Sequence, residues 1–129
     1  MTDKLDDIAR RLVADGKGIL AADESSGTIK KRFDSIGVDS TADLRRDYRE
    51  MMFTALEAMR NHISGVILFD ETLRQMASDG RPLIDKITAT GALPGIKVDA
   101  GTKDIPLFPG EKMVSVDAKG RETVLKRKK

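Results

Sequence analysis

Leu5, Ile8, Leu12 and Val13 recur at helical spacing, and Asp6, Asp7, Arg10 and Arg11 fill the positions between them. That pattern predicts a short amphipathic helix over residues 3–14, ended by Asp15-Gly16. Gly18-Ile19-Leu20-Ala21-Ala22 follows as a nearly continuous apolar run, bounded by a turn and by Asp23-Glu24. Such a run suits a strand covered on both faces. Gly65-Val66-Ile67-Leu68-Phe69 is a second run of the same kind, and Pro94-Gly95 introduces a weaker third, Ile96-Lys97-Val98-Asp99, which ends at Gly101.

Between the first two runs, Ser40-Thr41-Ala42-Asp43 has the make-up of a capping box. Leu44, Tyr48, Met51, Met52, Ala55, Leu56 and Met59 then predict one long helix to about Arg60, with Met51, Met52 and Met59 in its core. Between the second and third runs, residues 71–76 read as a short helix with Met76 likewise inward, closed by Asp79-Gly80. Pro82 opens another helix that continues through Leu83, Ile84, Ile87 and Ala89 to Gly91.

Short apolar strands alternating with helices argue for parallel βαβ units, because parallel neighbours need a crossover long enough to be helical. Two architectures fit, an open doubly wound sheet or part of a barrel. Three strands do not close a barrel, which takes about 250 residues, and the chain has 129. Beyond Pro106-Leu107-Phe108-Pro109-Gly110, a loop by composition, Met113-Val114-Ser115-Val116 and Glu122-Thr123-Val124-Leu125 flank Asp117-Ala118-Lys119-Gly120 and suggest a β-hairpin. Lys126-Arg127-Lys128-Lys129 reads as a solvated end.

Charge adds one correction to this picture. The net charge is +2, yet residues 111–129 hold seven Lys or Arg against three acids, a net +4, which leaves −2 for residues 1–110. Basicity is a property of the tail, where neither a basic face nor stacking aromatics point to nucleic acid. The chain has no cysteine, so it carries no disulfide or thiolate metal site. No apolar run reaches membrane-spanning length, and the acidic start Met1-Thr-Asp-Lys-Leu-Asp-Asp is unlike a signal peptide. These features predict a soluble cytoplasmic protein with neither a membrane nor a nucleic-acid partner.

In parallel α/β architectures, reactive groups collect where strands end at their C-terminal edge. Asp23-Glu24-Ser25 follows the first run, Asp70-Glu71-Thr72 the second, and Lys97 and Asp99 lie in the third. A carboxylate and a lysine from different strands could meet in one pocket, each favouring the other's charged form, and such a pair suits carbonyl or sugar-phosphate chemistry. Helix capping competes as an explanation for Asp23 or Glu24 and is the stronger one for Asp70-Glu71. Lys97 inside an apolar strand needs a partner for its charge. Ser25-Ser26-Gly27-Thr28-Ile29-Lys30-Lys31-Arg32 places hydroxyls, a glycine and three cations around a helix start, a composition suited to phosphate. It matches neither the nucleotide-hydrolase loop nor a dinucleotide fingerprint. His62, the only histidine, reads as a surface loop residue, so a zinc site and a Ser-His-Asp triad lack their parts.

The stretch from Gly16 to Arg32, Gly-Lys-Gly-Ile-Leu-Ala-Ala-Asp-Glu-Ser-Ser-Gly-Thr-Ile-Lys-Lys-Arg, resembles the opening strand and loop of class I fructose-bisphosphate aldolases. Gly65-Val-Ile-Leu-Phe-Asp-Glu-Thr-Leu-Arg-Gln75 is similar to the family's second strand and Pro94-Gly-Ile-Lys-Val-Asp99 to its third, so the likeness runs from about Lys4 to Lys112. It implies an α/β fold, a partial TIM (β/α)8 barrel made of the first three parallel strands with their helices, to which the residue pattern adds the C-terminal hairpin. Residues 1–112 would be the barrel part and 113–129 a divergent basic tail.

The resemblance implies reversible cleavage of fructose 1,6-bisphosphate into dihydroxyacetone phosphate and glyceraldehyde 3-phosphate, a lyase step of glycolysis. The family needs no metal or other cofactor. A lysine amine condenses with the ketose carbonyl to a Schiff base, and carboxylates manage the protons. By motif, Asp23 corresponds to the first-strand active-site aspartate and Lys97 to the third-strand active-site lysine. Ser25, Thr28 and Arg32 fall on the loop associated with sugar phosphate, and Arg45 on a helix position linked to substrate binding.

The family's Schiff-base lysine belongs to the sixth strand, other site groups come from later strands too, and none of these is matched here. After Lys112 the chain departs from the family's Gly-Leu-Asp-Gly-Leu-like continuation, as a truncated, fused or frame-shifted ending would. The expectation is little or no turnover by this chain alone. A non-catalytic role, binding sugar phosphate or associating with itself or with a full-length aldolase, is the alternative, since an incomplete barrel leaves apolar faces uncovered.

Overall fold

A computed structural model describes residues 4–105, 107–117, 119 and 121–124. The chain divides into two compact units, residues 1–96 and 97–129.

The first unit runs α1 (Leu5–Leu12), β1 (Gly18–Ala22), α2 (Ser26–Asp34), α3 (Ala42–Phe53), α4 (Leu56–His62), β2 (Ile63–Leu68), α5 (Asp70–Leu73), α6 (Leu83–Thr88) and β3 (Leu93–Ile96). Its three strands form one parallel sheet in the order β1-β2-β3, not closed into a barrel. The central strand, β2, is the only one of them with a neighbour on each side. Its register aligns Ala22 with Leu68 and Leu68 with Ile96, so all three strands finish level.

Alternation along the strands sends Leu20, Ala22, Val66 and Leu68 to one face. There they pack with Phe53, Met59, Ile87 and Ala92 into the core, with Met52, Ile63 and Leu73 partly buried against it. Ile19, Ala21, Gly65 and Ile67 alternate to the opposite face. Against it lies Leu12 of α1, whose Cδ2 is 2.5 Å from where a Cβ on Gly65 would stand. The missing side chain is what lets the helix approach, and Ser64 ties it down by donating to the Leu12 carbonyl at 2.6 Å. Beside this contact, Ile8, Leu12, Ile19, Ile67, Leu93 and Pro94 line an apolar recess of about 310 Å³. The expectation that the first strand is covered on both faces therefore fails: Ile19 is 50% exposed and Ala21 is also open.

Three further expectations change. The single long helix breaks at Thr54, whose hydroxyl donates to the Glu50 carbonyl at 2.7 Å while its own amide donates to the same oxygen at 2.9 Å. The backbone leaves the helical region at Ala55, at ψ 73, which separates α3 from α4. Met51 is exposed, and so is Met76, which leaves the helix to form an antiparallel bridge with Pro82. Of the four methionines, only Met59 is fully buried and Met52 partly so. His62 is the last residue of α4 rather than a loop residue, though it is exposed as expected.

The second unit holds β4 (Asp99–Ile105), β5 (Phe108–Asp117) and β6 (Glu122–Val124) in an antiparallel sheet of order β4-β5-β6. The hairpin is present, Val114–Val116 pairing with Glu122–Val124. β4 as a separate strand is not anticipated from the sequence, since Asp99–Ile105 lacks a regular alternation. The turn between β4 and β5 contains Leu107 at φ 71, so the Pro/Gly-rich loop is shorter than its composition suggests. The terminal basic run, Lys126 to Lys129, lies outside the described residues.

Candidate active site at the strand ends

Asp23 and Glu24 leave β1 half-buried, and the next residue settles which group caps the following helix. Ser25, in an extended conformation, accepts the Thr28 amide at 3.3 Å and shares a 3.2 Å hydrogen bond with the Thr28 hydroxyl. The cap of α2 is thus a serine, and neither acid fills that role. Side-chain capping by Asp70-Glu71 does not hold either. Phe69 occupies the cap position of α5 with no side-chain bond, and the two acids sit in the first turn.

Both glutamates turn to guanidinium groups instead. Arg32 Nη1 donates to Glu24 Oε1 at 2.9 Å and to the Tyr48 hydroxyl at 3.1 Å. The Glu24 bond, then the Tyr48 bond, hold Arg32 above the usual arginine range. Tyr48 is itself set by an edge-on contact with Phe33, ring centres 5.9 Å apart. Arg45 meets Glu71 as a fork, Nε to Oε1 at 2.9 Å and Nη2 to Oε2 at 2.8 Å, while its Nη1 donates to the carbonyl and hydroxyl of Ser40 at 3.0 and 3.1 Å. These bonds from Arg45 hold the Glu71 carboxyl below the usual carboxylate range against the opposing effect of burial.

Arg49 lies between the two pairs. It is fully buried, donates from Nη2 to the Glu24 carbonyl at 2.6 Å, and brings Nη1 to 3.6 Å from Glu71 Oε1. Burial pulls its guanidinium below the usual range, opposed by Glu24 and then by Glu71. The sequence offers Glu24 and Glu71 as strand-end acids and capping candidates, not as arginine partners, and does not single out Tyr48 or Arg49. The available signal was Arg45, Arg49 and Phe53 at successive i, i+4 steps, which puts an arginine on the face of α3 that buries Phe53.

Lys97 does not lie within a strand. β3 ends at Ile96, so Lys97 is half-buried one residue past it, and Asp99 opens β4. Asp23 has the same relation to β1, following a terminal residue in register with Ile96 through Leu68. Asp23 belongs to the first unit and Lys97 to the second. Thr28 and Arg32 lie on α2, with Arg32 half-exposed. Among the described residues no cluster of three or more His, Asp or Glu could hold a metal ion, and no helix is long and apolar enough to cross a membrane.

A family model described as fructose-bisphosphate aldolase class-I matches residues 4–127. Fructose-bisphosphate aldolase 1 of Toxoplasma gondii is 54% identical over 104 residues, covering 81% of this chain and 28% of that protein. The fructose-bisphosphate aldolase of Drosophila melanogaster is 49% identical over 115 residues, 89% of this chain and 31% of the relative. A solved structure of the Plasmodium falciparum fructose-bisphosphate aldolase, a ternary co-crystal with TRAP and a small-molecule inhibitor, superposes with a TM-score of 0.74 at 46% identity. It covers 82% of this chain and 30% of that one. The chain spans under a third of the length of these relatives.

Proposed function

The chain belongs to the class I fructose-bisphosphate aldolase family, and on that premise we propose that it carries the first-strand half of an aldolase site and binds sugar phosphate, with little or no cleavage turnover of its own. Asp23 serves as the site carboxylate and Lys97 as a site amine. Ser25, Thr28 and Arg32 receive a phosphate group of fructose 1,6-bisphosphate. The reaction served by the whole site is the reversible cleavage of that ketose to dihydroxyacetone phosphate and glyceraldehyde 3-phosphate, a step of glycolysis in the cytoplasm.

The observation that carries this reading is the serine cap. With Ser25 satisfying the start of α2, the half-buried Asp23 at the end of a level parallel sheet has no part in capping, and strand ends are where this class of fold concentrates its chemistry. The dipole of α2 favours an anion at its first turn, which is exposed at Gly27 and Thr28. Arg32 is the cation for that anion, because it is half-exposed and held by one carboxylate oxygen and a phenol. Arg45 is a support instead: its Nε, Nη1 and Nη2 already donate to Glu71 and Ser40.

Calorimetric titration of the full chain with fructose 1,6-bisphosphate tests the binding. Asp23→Asn and Arg32→Met should each weaken it about tenfold, one charge-assisted hydrogen bond being worth about 1.5 kcal/mol. No binding by the unaltered chain would sink the reading. Borohydride reduction with the substrate, followed by mass spectrometry, tests the turnover. A stable adduct on Lys97 would overturn the assignment of the Schiff-base amine to residues outside this chain.

A second reading rests on the open sheet. Among the described residues, β1 and β3 each pair on one side only, and Ile19 and Ile96 are 50% and 45% exposed. Those edges suit association with a second copy or with a full-length aldolase. Sedimentation at increasing concentration distinguishes this from a sugar-phosphate-binding monomer.

A further inference from the structure

Arg49 combines three properties that do not belong together in a residue kept for stability. Its side chain is fully buried, its Nε and Nη1 have no hydrogen-bond partner, and its one short bond goes to a backbone carbonyl rather than to a carboxylate. Glu24 Oε2, beside it, is also buried without a partner. Burying a guanidinium costs several kcal/mol, and unmade hydrogen bonds add to that cost, so an apolar residue of the same volume would serve the core better.

What the arginine supplies is a fixed position. Its planar donor group reaches from α3 across to the carbonyl of Glu24, the second residue after β1, while Glu71 at the end of β2 lies 3.6 Å from its other nitrogen. One side chain therefore reaches the segments that follow two strands and holds the peptide group between Glu24 and Ser25.

We propose that Arg49 is a positioning residue of the sugar-phosphate site: by clamping the Glu24 carbonyl it sets the direction in which Asp23 and the Ser25 cap leave β1. It touches no substrate and acts through the segment it holds. The importance of that segment rests on the function proposed above, but the clamp is a property of the chain that can be measured without a ligand.

The experiment compares the full chain with Arg49→Met and with Leu83→Ala, a buried α6 residue outside the Glu24–Arg49–Glu71 network. Amide hydrogen exchange is followed by NMR. In Arg49→Met the Thr28 and Ile29 amides, which bond to Ser25, should exchange at least tenfold faster, while those of Leu68 and Phe53 keep their protection. Leu83→Ala should loosen all four together. A uniform change in Arg49→Met, or no change at Thr28 and Ile29, would overturn the proposal and leave Arg49 as one more packing residue. If Arg49→Met does not fold, Arg49→Lys keeps a charge between Glu24 and Glu71 but ends short of the carbonyl, and the same two outcomes apply.

Binding of fructose 1,6-bisphosphate is then titrated. A tenfold loss in the Arg49 variant with Thr28 and Ile29 loosened supports positioning, and unchanged affinity overturns it. If the unaltered chain does not bind, the proposed function fails, and the exchange pattern alone decides for or against the clamp.

Discussion

The end of β1 and the end of β2 carry the same two side chains in the same order, Asp23-Glu24 and Asp70-Glu71, each followed at once by a helix. In both places the glutamate is drawn to arginines of the neighbouring helices, and both glutamates flank Arg49. The aspartates part company. Asp70 is 60% exposed and pairs with Arg74 one turn along at 3.1 Å, whereas Asp23 is half-buried behind a serine cap. The serine gives α2 a capped nine-residue helix, and Phe69 gives α5 four residues without a side-chain cap. A repeated acidic pair thus means a structural junction at one strand and a candidate site at the other, and the residues around it decide which.

The contrast can be broken most severely at Glu71. Glu71→Ala removes the fork from Arg45 and leaves Arg49 facing Glu24 alone, and it should cost about 3 kcal/mol in urea unfolding. Glu24→Ala should cost clearly less, because Arg49 holds that residue by its backbone. Equal losses would mean the two junctions are built alike. The Glu71 carboxyl also gives the junction a pH signature. Since its folded pKa is depressed below the ordinary value of about 4.5, chiefly by Arg45, its contribution is present above that value and lost as pH falls through the lower folded one. Glu71→Gln should flatten the fall in stability as the pH drops below about 4.5, followed by urea unfolding across that range.

A smaller effect is expected at the cap. Ser25→Ala should cost about 1 kcal/mol and expose the start of α2, measured by thermal unfolding. At the low end, Asp70→Asn should leave the unfolding midpoint where it was, because exposed ion pairs one turn apart add little. A large change there would mean that Asp70 shares with Glu71 in anchoring the second junction.

The three parallel strands, the serine-rich start of α2 and the hairpin were legible because each depends on local pattern: apolar runs, a hydroxyl before a helix, and alternation around a turn. The resemblance carried the family and the open barrel segment. Helix breaks and charge pairing were not legible. Nothing in the spacing of residues 44–59 shows that α3 ends at Phe53, nor that it turns Arg49 inward and Met51 outward. The inward turn of Arg49 depends on Glu24 and Glu71, 25 and 22 positions away along the chain. Lys97 was misread for a related reason. Apolar alternation suggests a strand over Ile96–Asp99 introduced by Pro94-Gly95, but β3 is Leu93–Ile96, with Pro94 and Gly95 inside it, and its pairing with β2 stops at Ile96.

The central place of β2 has a consequence for how the chain is made. Synthesis delivers the N-terminal end first, and β1, α2 and α3 emerge while the strand that pairs with β1 is still being assembled. The Leu12 carbonyl likewise waits for Ser64, and the Arg45 and Arg49 side chains wait for Glu71. A nascent chain stopped before residue 63 would hold apolar segments with no sheet to join, the state that chaperones bind. One stopped shortly after residue 71 would have met these three, while Ser78, which bonds to Glu50, and Ile87 and Ala92, which complete the core, would still lie ahead.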